Sequence, residues 1–243
     1  MKQLAQLQRL AITPSQLQEG KIALTPQQQH YLGHVLRLPS GALFIAMDGI
    51  GKWWLAKLGG LQAQILEQIP VQTELPVSIT LMSALPKGNG FDEVVRCCTE
   101  LGVVSIAPVI SDHTLLSPSP QKLERWRRIA REAAEQSERQ VVPTVLTPVP
   151  FRTSLADVKA SHRFLCVARG NHLHLLGCLQ GLVSTADSAT VAIATGPEGG
   201  WTAFEMEEAI AAGFQPVSLG RRILRAVTAP VVALSVVSAA FES

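Results

Sequence analysis

From Val77 onward the chain alternates short apolar runs with stretches of helical period: "VSITLMSA", "FDEVVRCCTELG", "VVSIAPVI" and "KLERWRRIAREAAEQSERQ". This alternation restricts the possible folds severely. A run that is apolar on both sides of its pleat needs cover on both faces, and a strand–helix–strand repeat supplies that cover as a parallel sheet with helices laid over it. In the fourth stretch Leu123, Trp126, Ile129, Ala130, Ala133 and Ala134 share one helical face, while Arg125, Arg127, Arg128, Arg131 and Arg139 lie elsewhere. The spacing predicts a helix that packs by one side and shows a basic rim. "RFLCVA" and "TVAIAT" read as two further buried strands, separated by the helix-like "LHLLGCLQGLV".

The next punctuation is "ATGPEGGWTAFE". Thr202 and Glu205 form a T-x-x-E capping box for a helix reaching Ala212, with Gly213 placed to end it. The glycine-rich segment is therefore a turn from strand to helix. "QPVSLG" follows as a strand and "RRILRAV" as a second loop. Thr228 is then expected to cap a last helix, Ala229 to Phe241, with Pro230 tolerated in its first turn. That helix is apolar on nearly every side, which predicts burial all round and a subunit interface.

Up to Glu74 the pattern differs. "KIAL", "ALFIAMDG" and "WWLAKL" are broken at Gly41, Gly49, Gly51, Gly59 and Gly60, as in a small strand-rich, barrel-like unit. "PVQTELPV" then brings two prolines and no helical period, so the division falls into residues 1–74 and 75–243. A chain of 243 residues with 47% hydrophobic content can fill two such cores. The net charge of +2 is too small to name a partner, since clustering of Lys and Arg decides that. Cys97, Cys98, Cys166 and Cys178 have no CxxC spacing and sit among apolar residues, as free thiols of a reducing compartment do. The start lacks a signal-peptide stretch, and "AVTAPVVALSVVSAA" is shorter than a bilayer span, so a soluble cytoplasmic protein is expected.

"TGPEGG" and "LGRRIL" both follow strands, at the ends where open α/β sheets bind ligands. A phosphate loop would aim backbone N–H groups at an anion, usually with a lysine, but this one carries Glu198 and no lysine. Neither a GxGxxG fingerprint nor GxxxxGK[ST] occurs, so a dinucleotide and ATP are poor fits. His172 and His174 have no third partner at ligand spacing, which argues against a metal. Trp53, Trp54, Trp126 and Trp201 read as packing residues.

"TGPEGGWTAFEMEEAIAAGFQPVSLGRRILRAVTA" resembles the signature end of the RsmE family, the small-subunit ribosomal RNA uridine-N3 methyltransferases of the SPOUT superfamily. "HYLGHVLRLPSG", "ALPKGNGFDEVVRCCTELGV" and "KLERWRRIAREAAEQSERQVVP" resemble further family motifs in order, so nearly the whole chain is covered. The resemblance implies a PUA-like RNA-binding domain followed by an α/β domain with a C-terminal trefoil knot, dimeric through the knot helices. It implies S-adenosylmethionine as cofactor and, as substrate, a uridine in the decoding region of 16S ribosomal RNA, free or in the assembled small subunit. The cofactor loops it implies are Thr195, Gly196, Glu198, Gly199 and Gly200 in one and Leu219, Gly220, Ile223 and Leu224 in the other. Thr228 and Ala229 would open the last helix nearby.

A sulfonium and an ammonium make Glu198 intelligible where a polyphosphate did not. Uridine N3 must lose its imide proton before it attacks, so a base and a partner for the developing oxyanion are needed. Arg225 is the candidate for the anion, and Glu198 either takes the proton or orients the cofactor. Arg9, His30, Arg37 and Lys87 match family motif positions for RNA contact, and Arg125 and Arg139 are helix-borne candidates for phosphates, although ordinary exposed basic residues look the same in sequence. Val227 stands where the family usually has Glu, Cys97 where a lysine often stands, and Tyr31 replaces the second His of an HH pair. A different RNA target, or an RNA-binding relative without turnover, are the competing readings.

Overall fold

The computed structural model describes residues 4–114, 118–183 and 189–242, and it divides into two compact units. The first comprises residues up to 74 together with 134–142. Its strands are β1 (Arg9–Ala11), β2 (Leu17–Gln18), β3 (Lys21–Ala23), β4 (Leu43–Met47), β5 (Trp53–Gly59) and β6 (Gln62–Ile69). They form one sheet in the order β1-β4-β5-β6-β3-β2, in which β1 and β4 are parallel and the other neighbours antiparallel. Phe44, Ala46, Ala56 and Leu58 alternate inward along β4 and β5 to meet Ile22 and Leu32 in the core. The sequence runs at β3, β4 and β5 are thus strands. The helical insertion α1 (Pro26–His30), which continues as a π-helical turn over Tyr31–Val35, was not among them. Its signal was local: Thr25 accepts from Gln28 N–H at its N-terminus, with Gln28 reaching back and Pro26 in the first turn.

The segment 134–142 belongs to this first unit, where the sequence division assigned it to the second. Polar bonding explains the change. Val142 N–H donates to the Gly49 carbonyl at 2.9 Å and Gln140 Nε2 to that of Gly51 at 2.8 Å. Glu74 Oε1 accepts from the N–H groups of Gln140 and Val141 at 2.8 and 3.1 Å. Arg139 closes the arrangement with a paired guanidinium on Glu74, its side chain 4% exposed. The expectation that Arg139 sits on a basic rim and meets phosphate is therefore overturned: a guanidinium taken out of water needs a fixed carboxylate, and it has one. Arg9 is similarly engaged. Its side chain is 11% exposed, pairs with Glu138 at 2.7 Å and lies 5.7 Å from the Trp53 ring, which leaves little of it for RNA.

The second unit, residues 75–133 and 143–243, begins with β7 (Ser78–Ala84), α2 (Gly90–Glu100), β8 (Ser105–Ile110) and α3 (Pro120–Gln136), whose last turn belongs to the first unit. It continues with β9 (Thr144–Val145), β10 (Val149–Pro150), α4 (Phe151–Asp157), β11 (His162–Cys166), α5 (Leu175–Val183), β12 (Thr190–Thr195), α6 (Ala203–Ala211), β13 (Gln215–Val217) and α7 (Thr228–Phe241). The sheet order is β10-β8-β7-β12-β11-β13, with β9 also on β8, and every pairing is parallel. Alternate residues feed two cores. Ile79, Leu81, Val191, Ile193 and Phe164 face α2, α3, α5 and α7. Met82, Ala84, Ala192, Ala194 and Leu165 face α4 and α6.

The last helix departs from expectation at its start. Val227, not Thr228, is the residue before its first turn, and no side chain caps it. The carbonyl of Arg225 instead accepts from Thr228 and Ala229 N–H, both at 2.9 Å. Within one chain the helix buries Pro230, Ala233, Leu234, Val237 and Ala240, while Thr228, Ser235 and Ala239 are exposed. Leu234 and Val237, fully buried, each contribute about 1.5–3 kcal/mol by leaving water. Arg139→Ala, which strands the Glu74 carboxylate, is expected to lower the unfolding free energy by about 3 kcal/mol in a urea titration followed by tryptophan fluorescence.

Candidate functional site

Parallel strands send all their C-terminal ends to one edge of the sheet, and three of them meet here. The segments leaving β11, β12 and β13 enclose a cavity of about 310 Å³. From β12 come Gly196, Pro197, Glu198, Gly199, Gly200 and Trp201; from β13 come Leu219, Gly220, Arg222, Ile223 and Leu224, followed by Ala226 and Ala229 at the foot of α7. Cys166, Val167, Ala168 and Arg169 complete it from β11, with Met206 from α6.

Two glycines in the first loop are required by close approach. A Cβ on Gly199 would lie 2.9 Å from Nδ1 of His113, whose ring is held by a 3.0 Å contact to the Gly200 carbonyl. A Cβ on Gly196 would lie 3.2 Å from the indole of Trp201, which donates Nε1–H to the Cys166 carbonyl at 3.2 Å and stacks on Phe151. Gly200, at φ +73°, donates its N–H to Pro197 O at 2.9 Å and closes the turn. One oxygen of Glu198 accepts from the backbone N–H of Lys87 at 3.0 Å, tying the loop to the segment that follows β7.

The capping box forms as expected and does more than cap. Thr202 Oγ1 accepts from Glu205 N–H at 3.2 Å, and Glu205 Oε2 accepts from Thr202 N–H at 2.8 Å. The other oxygen of Glu205, buried with the side chain, accepts from Asp112 N–H at 2.9 Å, so one carboxylate fixes both the helix start and the loop after β8. Gly213, at φ +83°, ends the helix: its N–H reaches Ile210 O and that of Phe214 reaches Ala209 O, both at 2.9 Å. On the other wall Gly220, at φ +118°, exchanges contacts with the Ser218 hydroxyl, N–H to Oγ at 3.0 Å.

Of the residues expected to hold a cofactor, Gly196, Glu198, Gly199, Gly200, Leu219, Gly220, Ile223, Leu224 and Ala229 share this cavity. Thr195 lies one residue beneath it, fully buried, with a hydroxyl that has no hydrogen-bond partner. Thr228 and Arg225 are exposed and outside the walls; the guanidinium that this loop contributes to the cavity is that of Arg222. Val227 packs a methyl group 2.7 Å from where a Gly90 Cβ would be, so this position is a packing residue. Sequence reading missed the β11 wall and its Arg169. The rule that ligands gather at strand C-termini, applied to "RFLCVA" as it was to "TVAIAT", would have found it. Burial pushes the Cys166 thiol up to about 12, so it is a neutral wall atom.

The basic candidates separate by environment. Arg125 is half exposed but donates Nε–H to Asp92 at 2.8 Å, and Asp92 also accepts from the buried Trp126 at 3.1 Å. His30 stacks on His34 with ring centres 5.1 Å apart; it and Arg37, which has φ +55°, are exposed, as is Lys87.

Comparison with known proteins converges on one group. A family model described as an RNA methyltransferase domain matches residues 73–238, and one described as an RNA methyltransferase PUA domain matches 24–67. The chain is 50% identical to ribosomal RNA small subunit methyltransferase E of Synechocystis sp. over 97% of its own length and 78% of the relative's. It is 28% identical to the protein of that name from Bacillus subtilis, over 94% of each. The crystal structure of the Neisseria gonorrhoeae ribosomal RNA small subunit methyltransferase E bound to S-adenosyl methionine superposes with a TM-score of 0.83 at 33% identity, over 94% of this chain and 95% of that one. Glu205→Ala is expected to cost about 2 kcal/mol of stability, since it removes a helix cap and the acceptor of the Asp112 N–H; denaturation of Glu205→Gln, which keeps one of the two acceptor oxygens, should show a smaller loss.

Proposed function

Because the chain belongs to the ribosomal RNA small subunit methyltransferase E family, we propose that it transfers a methyl group from S-adenosylmethionine to N3 of a uridine in the decoding region of 16S ribosomal RNA. The observation that carries the reading is the chemistry of the cavity walls. Gly196, Gly199 and Gly200 leave backbone groups bare for a nucleoside, and Leu219, Ile223, Leu224, Ala226 and Ala229 offer an apolar bed for adenine. Glu198, the one carboxylate in the walls among the described residues, suits a cationic guest and would repel a phosphate chain. These residues fit the cofactor. Bound there, S-adenosylmethionine supplies an electrophilic methyl group on a sulfonium.

Residues 1–74 are proposed as the PUA-like RNA-binding domain and 75–243 as the methyltransferase domain. His30, Arg37, Lys87 and Arg125 are the RNA contacts that their exposure supports. Arg225, exposed just before α7 and outside the cavity walls, is proposed to stabilise the uridine anion. The trefoil knot is supported by strand order: β12 enters between β7 and the already placed β11, β13 lies beyond β11, and α7 returns to pack on α5 and α2. Threading of this kind is rare enough that the family resemblance adds weight. A homodimer through α7 is supported by the apolar residues left half-buried on it, Val231, Val232 and Val236. No helix among the described residues is long and apolar enough to cross a membrane, and work on ribosomal RNA is expected to be cytoplasmic.

Calorimetry with S-adenosylmethionine should give a saturable isotherm, and mass mapping of 16S RNA from cells lacking the gene should lose one N3-methyluridine. An absent isotherm would leave an RNA-binding relative without turnover, and an unchanged N3-methyluridine would mean another RNA target. Arg225→Ala is expected to reduce transfer at least tenfold while sparing cofactor affinity; parallel loss of both would assign it to the cofactor instead.

A further inference from the structure

Uridine N3 is acidic only well above neutrality, so the enzyme proposed above must either carry a base for the imide proton or make the proton easier to lose. The cavity walls decide between these. Among the described residues they hold four titratable side chains: Cys166, Arg169, Glu198 and Arg222. Cys166 is a buried neutral thiol, and Glu198 has one oxygen already committed to Lys87 N–H. Among the described residues no histidine or lysine lines the cavity: His113, whose Nδ1 meets the Gly200 carbonyl at 3.0 Å, is outside the walls, and Val227 offers no carboxylate beside them. What the walls do hold is positive charge. Arg169 and Arg222 come from two different loops, both are exposed, and neither has a hydrogen-bond or ion-pair partner among the described residues.

Two guanidiniums on one cavity, without a counter-ion among the described residues and beside a site suited to a sulfonium, favour an anion as the second guest. We propose that this anion is the target uridine itself: Arg169 and Arg222 bind the O2–N3–O4 edge as the imidate and so acidify N3–H, in place of a dedicated general base. The inference rests on the methyltransferase reading above. Planar guanidiniums cannot lose their protons and match the two carbonyl oxygens over which the imidate charge spreads. An opposite charge within about 4–6 Å lowers such a pKa by about 1–3 units. The step balances simply. The imide proton leaves to water or hydroxide, the N3 lone pair attacks the methyl carbon, and the carbon–sulfur bonding pair goes to sulfur, giving N3-methyluridine and S-adenosylhomocysteine. Glu198 keeps its place toward the cofactor's positive charge. Arg221 and Arg225, exposed on the same loop as Arg222, are outside the walls.

The test uses full-length protein and small ribosomal subunits from cells lacking the gene, prepared with ordinary uridine or with 5-fluorouridine, whose imide is more acidic. Arg169→Ala and Arg222→Ala should each lower kcat at neutral pH by about tenfold and move the rising limb of the rate–pH curve upward by about one unit. The 5-fluorouridine subunits should restore both variants to within a few-fold of wild type, and Arg222→Lys should lose less than Arg222→Ala. Calorimetry supplies a readout independent of turnover: with a neighbouring cation removed, S-adenosylmethionine should bind the variants as tightly as wild type or more tightly. A loss of cofactor affinity equal to the loss of rate would put the arginines on the cofactor's carboxylate and overturn the proposal. So would a raised KM with an unmoved pH curve, which marks simple phosphate contacts. Wild-type protein inert on both kinds of subunit would overturn the methyltransferase reading and this proposal with it.

Discussion

The second unit depends on the burial of β12 on both faces. Val191 and Ile193 point into one core and Ala192 and Ala194 into the other, and all four are fully buried. A strand with no polar face cannot sit at an edge, so it takes β7 on one side and β11 on the other, with helices above and below. Because its neighbours are parallel, everything that leaves their C-terminal ends is delivered to one place. The cavity is a consequence of that delivery: three loops that are far apart in the chain become its walls. Alanines on one face and larger residues on the other set how closely α4 and α6 approach compared with α7.

Loops gathered in this way still need fixing, and the fixings are polar. Glu205 uses its two oxygens on different segments, one on the start of α6 and one on the loop after β8. Glu198 reaches the segment after β7, and the Trp201 indole reaches the end of β11. Apart from the local cap at Thr202, each bond joins segments far apart in sequence and satisfies a group that would otherwise be left bare near the site, a condition that costs more than the bond itself returns. The glycines are the complement of these tethers. Gly199 and Gly196 are needed because side chains from elsewhere, His113 and Trp201, already occupy the space a Cβ would take.

The charge pattern around the cavity follows the same economy. Cations that face carboxylates, such as Arg139 on Glu74 and Arg9 on Glu138, are neutralised within the first unit and serve its architecture. Arg169 and Arg222 have no such partner among the described residues and stand at the cavity, where charge is free to act on a substrate. Basic residues that look alike in sequence thus divide by burial and pairing: Arg139 and Arg9 are largely buried on carboxylates, whereas Arg125 keeps half its surface exposed despite its bond to Asp92.

Much of this was legible in one dimension because it rests on local or periodic rules. The strand–helix alternation, the T-x-x-E box at Thr202, the stop at Gly213 and the two loops after β12 and β13 all depend on neighbours a few residues away, and the family motifs lie in contiguous stretches. Pairing across long separations was not legible. Arg139 read as surface because nothing in "SERQ" reveals Glu74, and 134–142 read as part of the second domain because its bonds to Gly49 and Gly51 cross about ninety positions of chain. The apolar last helix read as buried all round, yet only packing against α5 and α2 decides which side is covered. Sequence by itself determined the main strand–helix alternation of the second unit and where two of its ligand loops fall. Which arginine faces the cavity, and which is spent on a carboxylate, was decided only by tertiary structure, since electrostatic pairing depends on distance in space.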